Sequence, residues 1–428
     1  MMNIGSLTKS IFLITVLVSA LNASVYAAEY DFIANDLCCK VLSEQDKTVC
    51  VVEYNFNEAE PPMLAIPPKV IWNNTEYTVT EIGDNAFASS FINNLYLPNT
   101  IIRIGDHAFY DCHSLKSVSL PNSLKTIGGY AFLSCVSLRS LTIPENVDSI
   151  GRYAFAGLMP LKSVTIPDNV AYLGEYAFSK CNSLETMKLS ENLLKLSDYT
   201  FDGCTNLREI VIPNSVKEIG VGVFRDCPSL REVSMGNGVI KIGADAFRNC
   251  QNLTDINLSE NLAEIGNNAF NTCSSLSSVT LSENVKILGQ GVFYNCKSLE
   301  SIQIPEGIEK INRSTFSGCA SLNEINIPDD VTFIGKRAYF YHPLIQTLTI
   351  PANVATIGID QFWCPNLGTV YSLNPTPPRM TLDETSPTVR YFHGVDMSKC
   401  ILYVPQGSVD AYREAPVWKN FINIREIE

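Results

Sequence analysis

Cysteine is the residue type whose spacing in this chain most resembles a reactive or metal-binding series. Nine of the 14 cysteines lie three residues after an aromatic position that recurs along the chain. Such a series fits disulfides, a zinc site or buried reduced thiols. No paired C-x-x-C spacing indicates zinc, and Leu158 fills the same position in one repeat, so we expect buried thiols that pack as small apolar groups. The nine are Cys112, Cys135, Cys181, Cys204, Cys227, Cys250, Cys273, Cys296 and Cys319.

The remaining cysteines lie outside this series. Cys38, Cys39 and Cys50 fall within residues 37–42 and 48–52, which are typical of two strands of a hairpin. That pairing sets Cys39 opposite Cys50, and both a disulfide and reduced thiols fit the sequence there. Cys364 and Cys400 complete the set near the C-terminal end.

Catalytic motifs are not evident in the sequence. The four histidines, His107, His113, His342 and His393, are scattered, and no G-x-S-x-G, phosphate-binding or H-E-x-x-H motif occurs. Residues 373–400 contain His393 and interrupt the repeat, and we interpret them as a long loop. We therefore predict a non-enzyme with no catalytic residues and no cofactor.

A repeat of 23 residues is the strongest pattern in the chain. One series contains twelve of the 20 phenylalanines, with Tyr339 in the one vacant place, and after a first interval of 22 its steps are all 23. A single unit cannot bury its own apolar side, so such units stack into a solenoid. The phenylalanines are Phe87, Phe109, Phe132, Phe155, Phe178, Phe201, Phe224, Phe247, Phe270, Phe293, Phe316 and Phe362.

Each part of the repeat has a physical role. Leu138, Leu141 and Ile143 are typical of a strand with one buried face, and the Pro-Glu-Asn step that follows is typical of a turn in which Asn tolerates the left-handed conformation. Gly151 leaves room for a tight bend. The Ala-Phe pair that ends the unit predicts a short helical turn whose ring fills the interior.

These motifs together closely resemble the BspA-like leucine-rich repeat family of bacterial cell-surface proteins, over about residues 80–372. The resemblance implies an α/β repeat solenoid of about 13 units, with one parallel sheet on its concave face and a cap at each end. Residues 70–79 are similar to the family's entry hairpin, and residues 403–412 to its closing strand and helix. The division expected is a signal peptide (1–27), an N-terminal hairpin cap (28–79), the solenoid (80–372) and a C-terminal loop and cap (373–428).

Export is indicated by the first residues of the chain. Residues 11–21 form an apolar run behind Lys9, and small residues up to Ala27 fit signal-peptidase cleavage there. The run is too short to span a bilayer, for which about 20 residues are needed. We therefore expect an extracellular or outer-surface protein with no transmembrane segment.

The charge balance narrows the choice of partner. Lys and Arg total 31 against 44 Asp and Glu, a net charge of −13, which disfavours nucleic acid. Against this background, a basic column occupies the solvent-facing position after the leading leucine of the repeat. It either receives an acidic partner or only keeps the sheet soluble. The candidate ligand-binding residues are Lys116, Arg139, Lys162, Arg208 and Arg231.

A second charged column follows the strand and carries carboxylates. Stacked carboxylates supply the oxygen ligands that Ca²⁺ requires, although solvated turn residues explain the same pattern. The residues are Glu145, Asp168, Glu191, Glu260, Glu283, Glu306 and Asp329. We predict no metal site.

The leading functional hypothesis is an exported protein that mediates protein–protein interaction or adhesion, to host matrix or other cells, through the concave face. It rests on the resemblance, since a fold alone does not imply a function. A glycan-capture module and a structural envelope component are the alternatives. Glycan capture would need aromatic platforms, which are scarce in the solvent-facing columns.

Overall fold

The computed structural model of the chain describes residues 29–54, 63–381 and 392–428. The predicted signal peptide lies outside these residues. Within them, no helix combines the length and the apolar character needed to cross a membrane.

The chain winds into about 15 coils of roughly 23 residues, most of which carry two short strands, so the predicted leucine-rich repeat solenoid is confirmed and extends slightly beyond 13 units. Strands of neighbouring coils pair in parallel and in register, as Ser163 does with Thr186. This register follows from the constant repeat length, which returns every apolar side chain to the same place.

The first strand of each coil contributes to one side of the solenoid, here called the first-strand face. It is divided into four sheets rather than forming the single sheet expected. Two of the three breaks fall where residues 138–143, 301–304 and 324–327 include no assigned strand, and the third separates Thr186–Lys188 from Glu209–Ile212. The strands are Met63–Ala65, Asn94–Tyr96, Ser117–Ser119, Ser163–Thr165, Thr186–Lys188, Glu209–Ile212, Glu232–Met235, Asp255–Asn257, Ser278–Thr280, Thr347–Ile350, Thr369–Ser372, Ile401–Val404 and Asn423–Glu426.

The second strand of each coil contributes to another side, here called the second-strand face. The pairing of these strands is continuous from the N-terminal strands to Leu173. It therefore continues past residues 138–143, at which strand pairing on the first-strand face is interrupted. The strands are Arg103–Ile104, Thr126–Ile127, Ser149–Ile150, Tyr172–Leu173, Lys195–Leu196, Glu218–Ile219, Lys241–Ile242, Glu264–Ile265, Ile287–Leu288, Lys310–Ile311, Phe333–Ile334, Thr356–Ile357 and Arg379–Met380.

The repeat phenylalanines form one stacked file inside the coils. Neighbouring ring centroids from Phe109 to Phe362 are 5.1 to 6.4 Å apart, and Phe224 in the middle is fully buried. The file continues to Phe392, beyond the last position predicted, and Trp418 and Phe421 then meet that ring edge-on. Such large buried side chains account for much of the apolar area removed from water.

The segment around each Ala-Phe pair is a series of tight turns rather than the predicted helical turn. Phe87 is typical: it lies between Asn85 and Ser89, both with φ of 60°. Two left-handed residues in each coil prevent a helix, whose residues all need negative φ. The described residues include one α-helix, Val409–Glu414, and one 3₁₀ helix, Trp418–Asn420, together with two short inner strands, Phe362–Trp363 and Phe392–His393.

The left-handed residues do not lie in the Pro-Glu-Asn turn, where the sequence predicted them, except at Gly307, which holds the asparagine position of one coil with a φ of 81°. Asn146 has no positive φ; its side-chain amide donates instead to the Asn122 carbonyl of the preceding coil, at 2.7 Å. Asn169 bonds to Glu145 in the same way. The asparagine is favoured here because it links successive coils.

The repeat glycine is required by close contact between coils. A Cβ atom on Gly151 would lie 2.4 Å from the Gly129 nitrogen and 2.5 Å from the Gly128 carbonyl carbon. Its φ is not positive, so the constraint is spatial rather than conformational.

The cysteine series is confirmed as a column of buried thiols. All 14 cysteines are free and buried. Each of the nine repeat cysteines donates its thiol hydrogen to the carbonyl oxygen of the phenylalanine one coil earlier, as Cys227 does to Phe201 at 3.2 Å. The thiol is a second donor to this buried carbonyl, which also accepts a backbone amide, as Phe201 does from Cys204 at 3.1 Å. In the coil before Leu158, the Phe132 carbonyl keeps the amide bond from Cys135 without a thiol donor.

The N-terminal residues form strands Phe32–Ala34, Leu37–Ser43 and Thr48–Tyr54, followed by the hairpin Lys69–Trp72 and Thr75–Ile82. Cys39 pairs with Val51, and Lys40 pairs with Cys50, so the register predicted for the two cysteines is wrong by one residue. The register at the two cysteines is set by an irregularity between Val41 and Ser43, beside the turn, and a second shift follows between Cys38 and Cys39.

Candidate ligand-binding face

The five predicted cations lie on the first-strand face and all five side chains are exposed; four lie one position before a strand, and Arg139 holds the same repeat position in residues 138–143, where no strand is assigned. Backbone hydrogen bonds join this position from coil to coil: the Glu185 amide donates to Lys162, and the Arg208 amide to Glu185. Arg231 continues the series by donating to Arg208 at 2.9 Å. These bonds join Lys162, Arg208 and Arg231 into one column, and the in-register second strands of the preceding coils, Thr126 with Ser149 and Ser149 with Tyr172, extend it to Arg139 and Lys116.

The column is electrostatically uneven. Arg208 lies 3.5 Å from the Glu185 carboxylate, and Glu209 and Glu232, which follow Arg208 and Arg231, are register partners on adjacent strands. In contrast, Lys116, Arg139 and Lys162, here called the basic trio, form no ion pair within the described ranges. The residue after each member of the trio is a serine, so the net positive charge is concentrated at the N-terminal end of the column.

A groove of about 480 Å³ lies beside the trio on the same face. Its floor contains the largely buried side chains of Leu141, Val164 and Met187. The hydroxyls of Thr142, Ser163, Thr165 and Thr186 line it, with Glu145 and Lys188 at its margin. The groove coincides with the interrupted pairing at residues 138–143.

Lys188 is a candidate that the sequence analysis missed. It is exposed, forms no ion pair with a described residue, and is the register partner of Thr165 across the groove. Most other coils carry Ser, Thr or Asn at this repeat position, so a single lysine among them gave no periodic signal.

The sequence analysis also missed a stack of aromatic rings on a third side of the coils, in which the ring edges are partly exposed. His107, Tyr130, Tyr153, Tyr176 and Tyr199 stack with centroids 4.4 to 4.9 Å apart. The spacing of four tyrosines at 23 residues was a visible signal for it. Because each ring face is covered by its neighbour, the stack offers a ligand only ring edges and hydroxyl groups.

The aromatic stack is held in an unfavourable backbone conformation. All five residues have φ between 54° and 58°, at a position that Gly222, Asp245 and Asn268 fill in later coils. The left-handed conformation costs about 1–2 kcal/mol per residue, and each aromatic contact returns about 0.5–1.5 kcal/mol. Arg152 lies 5.2 Å from the Tyr153 ring centroid and adds a cation–π contact, so these contacts offset part of this strain.

The carboxylate column lies at the turn after the first strand. There the Asp168 carboxylate accepts a hydrogen bond from the Glu191 amide at 3.1 Å, which links adjacent coils. No group of three or more His, Cys, Asp or Glu side chains in the described ranges is arranged to hold a metal ion.

Comparison with known proteins identifies the family of this solenoid. A family model described as a BspA type leucine-rich repeat region matches residues 80–208, 125–254, 194–312 and 286–375, which together exceed half of the chain. The chain belongs to the BspA type leucine-rich repeat family. No curated protein matched the chain.

Solved structures of other leucine-rich repeat proteins resemble it. One, from Bacteroides ovatus, is 27% identical, with a TM-score of 0.76 over 93% of this chain and 100% of that one. A leucine-rich cell surface protein from Faecalibacterium prausnitzii is 25% identical, with a TM-score of 0.56 over 84% of this chain and 96% of that one. The pneumococcal vaccine antigen PcpA, 20% identical with a TM-score of 0.55 over 93% and 98% of the two chains, shares the fold.

Proposed function

We propose that this BspA type protein is an exported, surface-located scaffold that binds an acidic protein partner on its first-strand face, in an adhesive role and without catalysis. The N-terminal residues 1–27 act as the signal peptide, and residues 28–79 and 373–428 cap the array. The similarity to a leucine-rich cell surface protein supports the location. Leucine-rich repeat solenoids generally serve as binding scaffolds, which supports the interaction role.

The observation that carries the partner's chemistry is the uncompensated basic trio. Three exposed cations occupy one position in consecutive coils about 5 Å apart, where they repel one another. A surface selected only for solubility would intersperse the two signs of charge. An acidic partner removes this repulsion, so the trio contributes to binding as well as to solubility.

The experiment measures binding of poly-L-glutamate to the mature full chain at low and physiological salt. Reversing the trio with Lys116→Glu, Arg139→Glu and Lys162→Glu should abolish most of the salt-sensitive binding. The side chains are exposed, so the variant should fold normally. Screening shortens the range of these charges to about 8 Å at physiological salt, so wild-type binding should weaken as salt is added.

A matched control keeps the change in net charge and moves it to the second-strand face. Lys125→Glu, Lys217→Glu and Lys310→Glu alter three exposed lysines there. The control should bind nearly as well as the wild type. Equal losses in both variants would mean that net charge, rather than this face, governs binding and would refute the proposal.

A further inference from the structure

We infer that the groove beside the basic trio is the seat for a short, extended acidic segment of the partner, and that Lys188 and Thr165 determine its recognition. This inference rests on the proposed function and deepens it from a charged face to a defined site. The groove volume of about 480 Å³ falls within the range of about 300–1,000 Å³ that is usual for ligand sites.

The charges around the groove complement a carboxylate-bearing segment. Arg139 and Lys162 lie in the column beside it, and Lys188 lies at its far margin. The nearby Glu185 carboxylate is paired with Arg208, which leaves Glu145 as the acidic group of the lining. Three cations against one carboxylate favour an anion.

The polar lining supplies hydrogen-bond donors along the same path. Thr142, Ser163, Thr165 and Thr186 present hydroxyl groups that form no hydrogen bond with a described residue. A hydroxyl donates readily to a carboxylate, and charge-assisted bonds of this kind are the strong ones. Sites with donors along the lining and cations on both margins orient an anion as well as attract it.

The dimensions fit a peptide segment. From Leu141 to Met187 the groove crosses three coils, two spacings of about 4.8 Å, which matches about three residues of extended chain. No lining residue is aromatic. The C–H faces of sugar rings pack on aromatic rings, so a peptide suits this lining better than an anionic glycan.

The test compares affinities for poly-L-glutamate and for polygalacturonate, an anionic glycan. Thr165→Val removes a hydroxyl while keeping the shape, and Lys188→Ala removes the far cation; the double variant leaves the basic trio intact. It should bind poly-L-glutamate about tenfold more weakly, the usual loss for one charge-assisted hydrogen bond. Thr280→Val with Lys217→Ala is the matched control, since Thr280 holds the same strand position five coils later and Lys217 is equally exposed. Circular dichroism of each variant checks the fold.

The outcomes distinguish the groove inference from the proposed binding by the first-strand face. If reversing the trio abolishes binding while the groove variant binds like its control, the face is right and the groove inference is wrong. If the groove variant lost affinity only for polygalacturonate, the groove would bind an anionic glycan, and the inference of a peptide segment would be wrong. If neither the trio nor the groove variant alters binding, the proposed function fails together with this inference.

Discussion

His342 occupies the interior position that Cys319 fills one coil earlier. It is fully buried, and neither ring nitrogen makes a hydrogen bond with a described residue. Burial lowers the pKa of the imidazole to about 4, because the charged form cannot be solvated there. The substitution of His for Cys therefore introduces a pH-dependent weakness into an otherwise apolar column.

Acidification should destabilise the C-terminal coils through His342. The unfolded side chain binds a proton below about pH 6.5 and the folded one only below about pH 4, so stability is complete above pH 6.5 and decreases as the pH falls toward 4. Between pH 7 and pH 5 this amounts to about 2 kcal/mol. The measurement is urea unfolding followed by the fluorescence of Trp363 and Trp418.

The His342→Cys variant isolates this effect from the many carboxylates of the chain. It restores the thiol column, in which the new thiol would donate to the Phe316 carbonyl. The stability difference between variant and wild type should grow as the pH is lowered. A difference that stays constant from pH 7 to pH 5 would show that His342 does not titrate in this range.

At the scale of the element, the file of rings is the main support of each coil. Phe224 is fully buried, with Phe201 and Phe247 stacked at 5.5 and 5.3 Å on its two sides. Each ring stabilises its coil through the apolar area that it buries and through its contacts with both neighbouring rings. The loss of one ring therefore weakens three consecutive coils.

The Phe224→Ala variant should lose about 3–5 kcal/mol of unfolding free energy, the usual cost of truncating a buried phenylalanine. Tyr294→Ala is the control, because it truncates a ring that is 36% exposed. The control should lose about half of that or less. Both values come from urea denaturation, and equal losses would contradict an interior file.

The elements show how much the sequence could predict. The 23-residue spacing predicted the coils, the ring file to Phe362 and the exposure of the basic column, because packing against a neighbouring coil imposes that period. The 23-residue spacing did not predict Phe392, because Phe392 follows Phe362 by 30 residues rather than 23. It also misplaced the left-handed residues: Asn is compatible with such a conformation, but here its amide is used between coils. The groove was not predictable, because it depends on where strand pairing is interrupted.

At the scale of the whole molecule, thiols are distributed along almost the entire axis. They extend from Cys38 to Cys400, and burial raises the pKa of the Cys181 thiol to about 12 and that of Cys400 to about 11. The reactive thiolate is therefore scarce while a coil stays closed. Each thiol reports the opening of its own coil.

Pulsed alkylation with N-ethylmaleimide in increasing urea, read by mass spectrometry, should label the terminal thiols first. Cys204, Cys227 and Cys250 should be labelled last, since central coils are supported on both sides and end coils on one. Labelling of every thiol at one urea concentration would instead mean that the array opens as a single unit. In full denaturant without reductant, all 14 cysteines should be modified, because all of them are free, Cys39 and Cys50 included.

The bonds from thiols and asparagines described above each reach back only to the coil before. Cys250 bonds to Phe224 and Asn284 to Glu260, while the next coil repeats the same contacts with its own residues. Duplication or deletion of one whole repeat unit in the gene would therefore preserve the pattern of contacts in all the remaining coils. The insertion of a few residues inside a coil would break them. The length of the binding surface can consequently change by recombination between repeats, while the position of each charge within a unit changes by point mutation, and the two can evolve separately.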